Sequence, residues 1–242
     1  MKILFFISLL VALVSATHTV SVLAAEVDSF DTDLHYTPAG FFDVHVCNWP
    51  EKGVFYMLVF STVKYDDIKH VDFFNVDGKR LGAVDWNAYR LHPKLKDKRI
   101  YIINTGLTDS PKDGWFRASI QMKDGKTIPS KDYVIHGSMG FANNLAPMDG
   151  SVLNEAPSTF TWMPPAGSTH WVVTIRDVWD NDAVVYTSNA LTKPTLTLPD
   201  GILKKGGVYA WRVHSRDGNG NILLGDFNHG SMSLVTLFSI GN

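Results

Sequence analysis

Six consecutive residues, Asp177-Val178-Trp179-Asp180-Asn181-Asp182, gather three carboxylates, an amide and an indole. Hard oxygen donors at that density could hold calcium. Asp and Asn are also the residues that a tight turn selects for backbone reasons, and a solvated turn is the expectation. A second run, Asp217-Gly218-Asn219-Gly220-Asn221, opens like a calcium loop. Ile222 stands where such a loop needs glycine, and no glutamate closes it, so it reads as a hairpin turn.

The nine histidines include no His-x-x-x-His pair; strands would have to assemble metal ligands through tertiary contacts. His45, His136, His170, His214 and His229 are expected in structural or surface roles, and no metal site is assigned. Neither Gly137-Ser138-Met139-Gly140 nor Gly230-Ser231-Met232 has the Gly-x-Ser-x-Gly elbow of a nucleophilic serine. Carboxylate pairs for glycoside hydrolysis can be drawn from any set of 24 acids, so none is singled out. No catalytic residue and no cofactor is assigned. Cys47 is the only cysteine, which excludes an intramolecular disulfide, and a buried thiol is expected there.

Aromatic rings are the more informative class, because rigid sandwiches commonly bind through rings stacked on sugars or inserted into partner pockets. Trp162 and Trp211 fall on strands and belong to a core. Trp49, before Pro50, and Trp179, in the acidic loop, stand where the chain turns; Trp86 and Trp115 lie at strand ends. The candidate contact site is therefore Trp179 with Asp177, Asp180 and Asp182, together with Trp49.

The elements that position these residues are strands. Short β-branched and aromatic runs recur between Gly, Asp, Asn and Pro, a spacing typical of sandwiches. In the first half they fall near Phe41 to Cys47, Val54 to Thr62, Val71 to Val76, Arg80 to Asp85, Arg99 to Asn104, Trp115 to Met122 and Lys126 to Ile135. Asp77-Gly78 and Asp124-Gly125 close tight hairpins. Residues 137–150 lose all alternation and mark a boundary. A second series follows at Thr159 to Trp162, Trp171 to Asp177, Ala183 to Ser188, Thr195 to Leu198, Val208 to Arg216, Ile222 to Leu224 and Ser233 to Ile240. The fold class is all-β, with two tandem immunoglobulin-like β-sandwich domains over 26–140 and 145–242.

Ahead of them Lys2, the apolar run Ile3 to Val14 and the small residues that follow read as a signal peptide over 1–25, cleaved after Ala25 or after Ala16. The apolar run is shorter than the roughly 20 residues of a spanning helix, and no later stretch is long enough. No transmembrane segment is expected after cleavage.

From Leu145 onward the chain resembles the fibronectin type III fold. The marks are Phe160-Thr161-Trp162-Met163-Pro164-Pro165, the strand ending at Leu198-Pro199, and Leu203-Lys204-Lys205-Gly206-Gly207-Val208-Tyr209, in the family's order. The resemblance implies that Trp162 lies between two sheets and that the Tyr209 hydroxyl bonds back to the backbone at a tyrosine corner.

Lys plus Arg number 22 against 24 Asp plus Glu, which gives no electrostatic reason for a nucleic-acid partner. Export, paired sandwiches and the lack of a recognisable catalytic constellation point to a non-catalytic binding or adhesion module, periplasmic or secreted, whose partner is a protein or polysaccharide of the cell envelope. The alternative is an envelope hydrolase with an unrecognised active site in its first domain. Oligomeric state is open.

Overall fold

The computed structural model describes residues 34–92, 95–107, 111–218 and 226–242. The expected signal peptide and the strand expected at Ile222 to Leu224 lie outside them. The described residues form strands and no helix.

The first half contains β1 (Tyr36–Thr37), β2 (Gly40–Trp49), β3 (Gly53–Thr62), β4 (Ile68–Phe74), β5 (Arg80–Ala83), β6 (Tyr89–Leu91), β7 (Arg99–Gly106), β8 (Gly114–Met122) and β9 (Thr127–Val134). One sheet runs β2-β3-β7-β6; the other runs β5-β4-β8-β9. Between them Phe42, Val44, Leu58, Phe60, Val71, Phe73, Phe116 and Ile120 are buried, each worth about 1.5–3 kcal/mol in removed apolar surface for the larger side chains. Period-2 alternation explains β8: Phe116, Ala118 and Ile120 are buried while Arg117 and Gln121 are exposed. Asp77-Gly78 and Asp124-Gly125 sit at the β4–β5 and β8–β9 reversals, with positive φ at both glycines.

The second half contains β10 (Asn143–Ala146), β11 (Ser151–Leu153), β12 (Thr159–Met163), β13 (His170–Asp177), β14 (Ala183–Thr187), β15 (Thr195–Thr197), β16 (Val208–Arg216), β17 (His229–Met232) and β18 (Thr236–Ile240). The sheet β10-β12-β15 faces β14-β13-β16-β18-β11. Their core holds Phe160, Trp162, Trp171, Ile175, Tyr209, Trp211 and Phe238. Trp162 and Trp211 are thus interior, and the Lys204 N–H donates to the Tyr209 hydroxyl at 2.8 Å.

Several segments differ from the expectation, among them the short strands β1, β6 and β11, which were not expected. The stretch without alternation yields β10, whose side chains are mostly exposed, so an edge strand there has no apolar face to display. The strand expected from Ser233 to Ile240 starts only at Thr236, as β18, which pairs with one end of β16, and ahead of it lies a strand that was not expected, β17, which pairs with the other end of β16 and with β2.

β17 joins the halves. It runs antiparallel to β16 and parallel to β2, with His229 opposite Val46 and Ser231 opposite Asn48. One sheet therefore passes continuously from β11 to β6.

Candidate functional site

β2 is covered on both faces, because the core lies on one side and the returning chain on the other. Its alternate residues Phe42, Val44 and Val46 enter the core. The intervening Asp43 and His45 are buried as well, among apolar neighbours. Burying a carboxylate requires partners, and the fold supplies them from three segments.

Asp43 Oδ1 accepts from the Val44 N–H at 2.9 Å, and Asp132 Oδ2, from β9, accepts from that same N–H at 2.6 Å. His45 Nε2 lies 2.8 Å from Asp43 Oδ2. His35, ahead of β1, places Nε2 at 2.7 Å from Asp132 Oδ1 and Nδ1 at 3.7 Å from Asp226 Oδ2. Phe227, next to Asp226, stacks on the His45 ring at a centroid separation of 3.6 Å.

Burial pushes the Asp43 carboxyl well above the usual carboxylate range, and the charges of Asp132 and Asp226 push it the same way. For His35, burial opposes the charged ring, but the carboxylates of Asp132 and Asp226 outweigh it and hold the imidazole up to about 11. Nearby, burial forces His214 well below its ordinary value, with Arg216 adding to the effect. Cys47 is fully buried, and desolvation raises its thiol to about 12, which leaves it inert as a nucleophile.

A second cluster lines a cleft of about 210 Å³ formed by His136, Gly137, Ser138, Met139, Ala166, Gly167, Asp217 and His229. His229 Nδ1 is 2.8 Å from Asp217 Oδ2, and its Nε2 is 2.9 Å from the Ile135 carbonyl oxygen. Two acceptors flank the ring, and the bond to Asp217 raises the pKa despite burial. With Nδ1 on Asp217 and Nε2 on the Ile135 carbonyl oxygen, the ring is not aimed at Ser138 as the base of a hydrolytic triad is aimed at its serine.

The residues singled out in the sequence lie elsewhere. Asp177 Oδ1 accepts from the N–H groups of Trp179 and Asp180, at 3.0 and 3.3 Å, which is the local turn chemistry expected of Asp. Asp182 pairs with Arg176 at 2.7 Å, and Asn181 and Asp182 both have positive φ. Trp179 stands 73% exposed at the loop tip. The loop is continuous with an open cleft of about 220 Å³ lined by Thr174, Arg176, Asp182, Ala210, Trp211, Arg212 and Val235. Trp49 is half-buried instead, edge-on to Phe55, with Lys52 Nζ 4.8 Å from its ring centroid.

His35, Asp43, Asp132 and Asp226 escaped the sequence reading because their proximity is purely tertiary. The one local signal was Asp43 and His45 at alternate positions inside the apolar run of β2.

No family model and no curated protein matches the chain. Among solved structures, dimeric latent PorU from Porphyromonas gingivalis is similar over 85% of this chain and 20% of its own, at 11% identity and a TM-score of 0.27. A run of titin domains is similar over 80% of this chain and 61% of its own, at 13% identity and a TM-score of 0.26. The chain spans less than two thirds of either, and likenesses this weak say nothing about partner or activity. Its own strands place it among all-β proteins built of β-sandwiches, consistent with an immunoglobulin-like fold.

Proposed function

We propose that this is an exported, non-catalytic binding or adhesion module of the cell envelope, with a C-terminal half of fibronectin type III character. Export rests on the leader-like N-terminus. The fibronectin character is supported by the bond between the Lys204 N–H and the Tyr209 hydroxyl and by the burial of Trp162. The contact site is the Asp177 to Asp182 loop with the adjoining outer face of β16 and β18; its partner is a protein or polysaccharide.

The observation that carries this reading is Trp179, 73% exposed on a loop whose Asp177 and Asp182 are already committed to holding its shape. A ring presented on a pre-shaped loop loses little entropy on docking. Beside the Arg176 to Ala210 row that borders the loop, Val184, Val235 and Leu237 are exposed, more apolar surface than a solvated turn needs. Glycan arrays and crosslinking to envelope proteins, run with the full chain and with Trp179→Ala/Asp180→Ala, test the assignment. Binding that survives the double change intact would refute it.

A hydrolase reading draws on the perturbed Asp43 and His35. Asp43 and Asp132 are both fully buried, which bars a polymeric substrate from their carboxylates. Hydrolysis by the purified chain that disappears in Asp43→Asn would favour this reading over the first.

A further inference from the structure

We infer that the outer face of β8 and β9 is a second binding surface, one for an acidic polysaccharide: Trp115 and Tyr133 take sugar rings, and Arg117 and Lys131 take carboxylate groups. It lies on the first sandwich, whereas the Asp177 to Asp182 loop belongs to the second half.

β8 and β9 pair antiparallel, with Trp115 opposite Tyr133 and Arg117 opposite Lys131. All four side chains stand on the face turned from the core, since Phe116, Ala118, Asp132 and Val134 between them are buried. Trp115 is 44% and Tyr133 43% exposed. Their rings meet edge to face with centroids 5.2 Å apart, so each holds the other in place and little freedom is lost on docking. Phe116 and Val134 already supply this end of the hairpin to the core, and two large rings left in water beside them mark a contact surface.

The next row, about 7 Å along the strands, is cationic. Like charges set directly opposite on a sheet repel and cost stability, yet among the described residues neither Arg117 nor Lys131 forms an ion pair. The row continues across the sheet, with Arg117 opposite Phe74 and Phe74 opposite Arg80. Arg80 is matched by Asp72 at 2.6 Å, and Asp72 also takes His70 at 3.0 Å. Two uncompensated cations therefore remain beside the aromatic pair, and an incoming carboxylate supplies the charge that the fold withholds.

The chemistry selects the occupant. Two cations are too few for a nucleic-acid backbone, whose binding rests on many phosphate contacts. Peptides dock by adding a strand to a sheet edge or by filling a groove. Here Leu34 already takes the edge of β9, its carbonyl oxygen accepting from the Lys131 N–H at 3.1 Å and from the Ser130 hydroxyl at 3.0 Å. A sugar ring offers an apolar face to an indole or phenol, and a sugar acid carries its carboxylate beside that ring. One aromatic row next to one cationic row matches that arrangement.

The test is isothermal titration of the full chain with oligogalacturonate, with its methyl ester, with poly-L-glutamate and with phosphatidylglycerol vesicles. Saturable binding of oligogalacturonate is expected, weakening as sodium chloride is raised, with the ester and poly-L-glutamate each bound about tenfold more weakly or worse. Trp115→Ala and Arg117→Ala should each lose about tenfold or more in affinity. Lys126→Ala, which removes a cation at the far end of the same hairpin, should lose none. Circular dichroism reports folding; should Trp115→Ala not fold, Arg117→Ala alone decides. Absence of saturable oligogalacturonate binding, equal binding of the ester, of poly-L-glutamate or of the vesicles, or an affinity untouched in Arg117→Ala would each overturn the surface. Contacts made through Trp179 are scored in the Arg117→Ala background, which keeps the two surfaces apart.

Discussion

Asp43 and Asp132, on strands from opposite sheets of the first sandwich, accept a hydrogen bond from one and the same donor, the backbone N–H of Val44. That shared bond ties the edge of one sheet to the middle of the other. The two carboxyl groups tolerate each other in a dry interior because burial and the neighbouring acids push Asp43 well above the usual carboxylate range, while His35 pairs with Asp132.

Asp132 supports both the Val44 N–H and His35, so Asp132→Ala removes the shorter of the two bonds to that buried donor and the nearer carboxylate of the imidazole together. The expected cost is about 3–5 kcal/mol, read as a fall in the urea midpoint. Asp132→Asn keeps the shape and should lose less.

His229 supplies a pH dependence. Its pKa is raised by Asp217 above the ordinary 6.5, so the folded state holds the proton more tightly than the unfolded chain. The stability it lends is complete below pH about 6.5 and fades as pH climbs through the folded value. His214, forced down by burial, has the opposite sign: it stabilises above its ordinary value, and its penalty grows as pH falls. In Asp217→Asn the alkaline loss attributed to His229 should shrink while the acid limb stays. Denaturation midpoints at pH 5.5 and 8.5 for both proteins check this.

Tyr209→Phe removes the acceptor of the Lys204 N–H. A loss of about 1–3 kcal/mol is expected, since the donor is left without its partner. A midpoint unchanged within error would show that water replaces the hydroxyl freely.

Trp179→Ala touches no core residue and should leave stability within about 0.5 kcal/mol of the starting protein, while abolishing partner contact. Thermal melts and binding measured on one preparation separate the two effects.

Gly230 lies where β17 meets β2. A Cβ there would stand 2.9 Å from Phe227 and 3.0 Å from His214 Nε2, and the Phe227 ring is held by its stack on His45. Gly230→Ala should cost about 1–3 kcal/mol by overpacking, whereas Gly125→Ser, in open space, pays only for its positive φ. Paired melts of the two variants show whether crowding dominates.

What the sequence revealed follows which faces are wet. β8 and β12 alternate between core and solvent, so their pattern is legible residue by residue. β2 is covered on both sides, and its two polar residues look like interruptions when they are the centre of a network. Trp179 was legible as exposed because turn chemistry surrounds it. Trp49 was not, because Phe55 and Lys52 reach it only through the hairpin. Asp226 joins His35 and Asp43 by tertiary return alone, for which no local pattern exists.

The parallel alliance of β17 with β2 also has a temporal side. On a growing polypeptide the residues around Val46 emerge long before their hydrogen-bonding neighbours around His229. Until then the stretch of β2 beyond its pairing with β1, up to Asn48, lacks its neighbour and is a largely apolar edge of the kind that recruits other chains. Synthesis of the first sandwich alone should therefore give aggregates, and a holding chaperone acting on the nascent protein would be guarding that edge rather than either finished core.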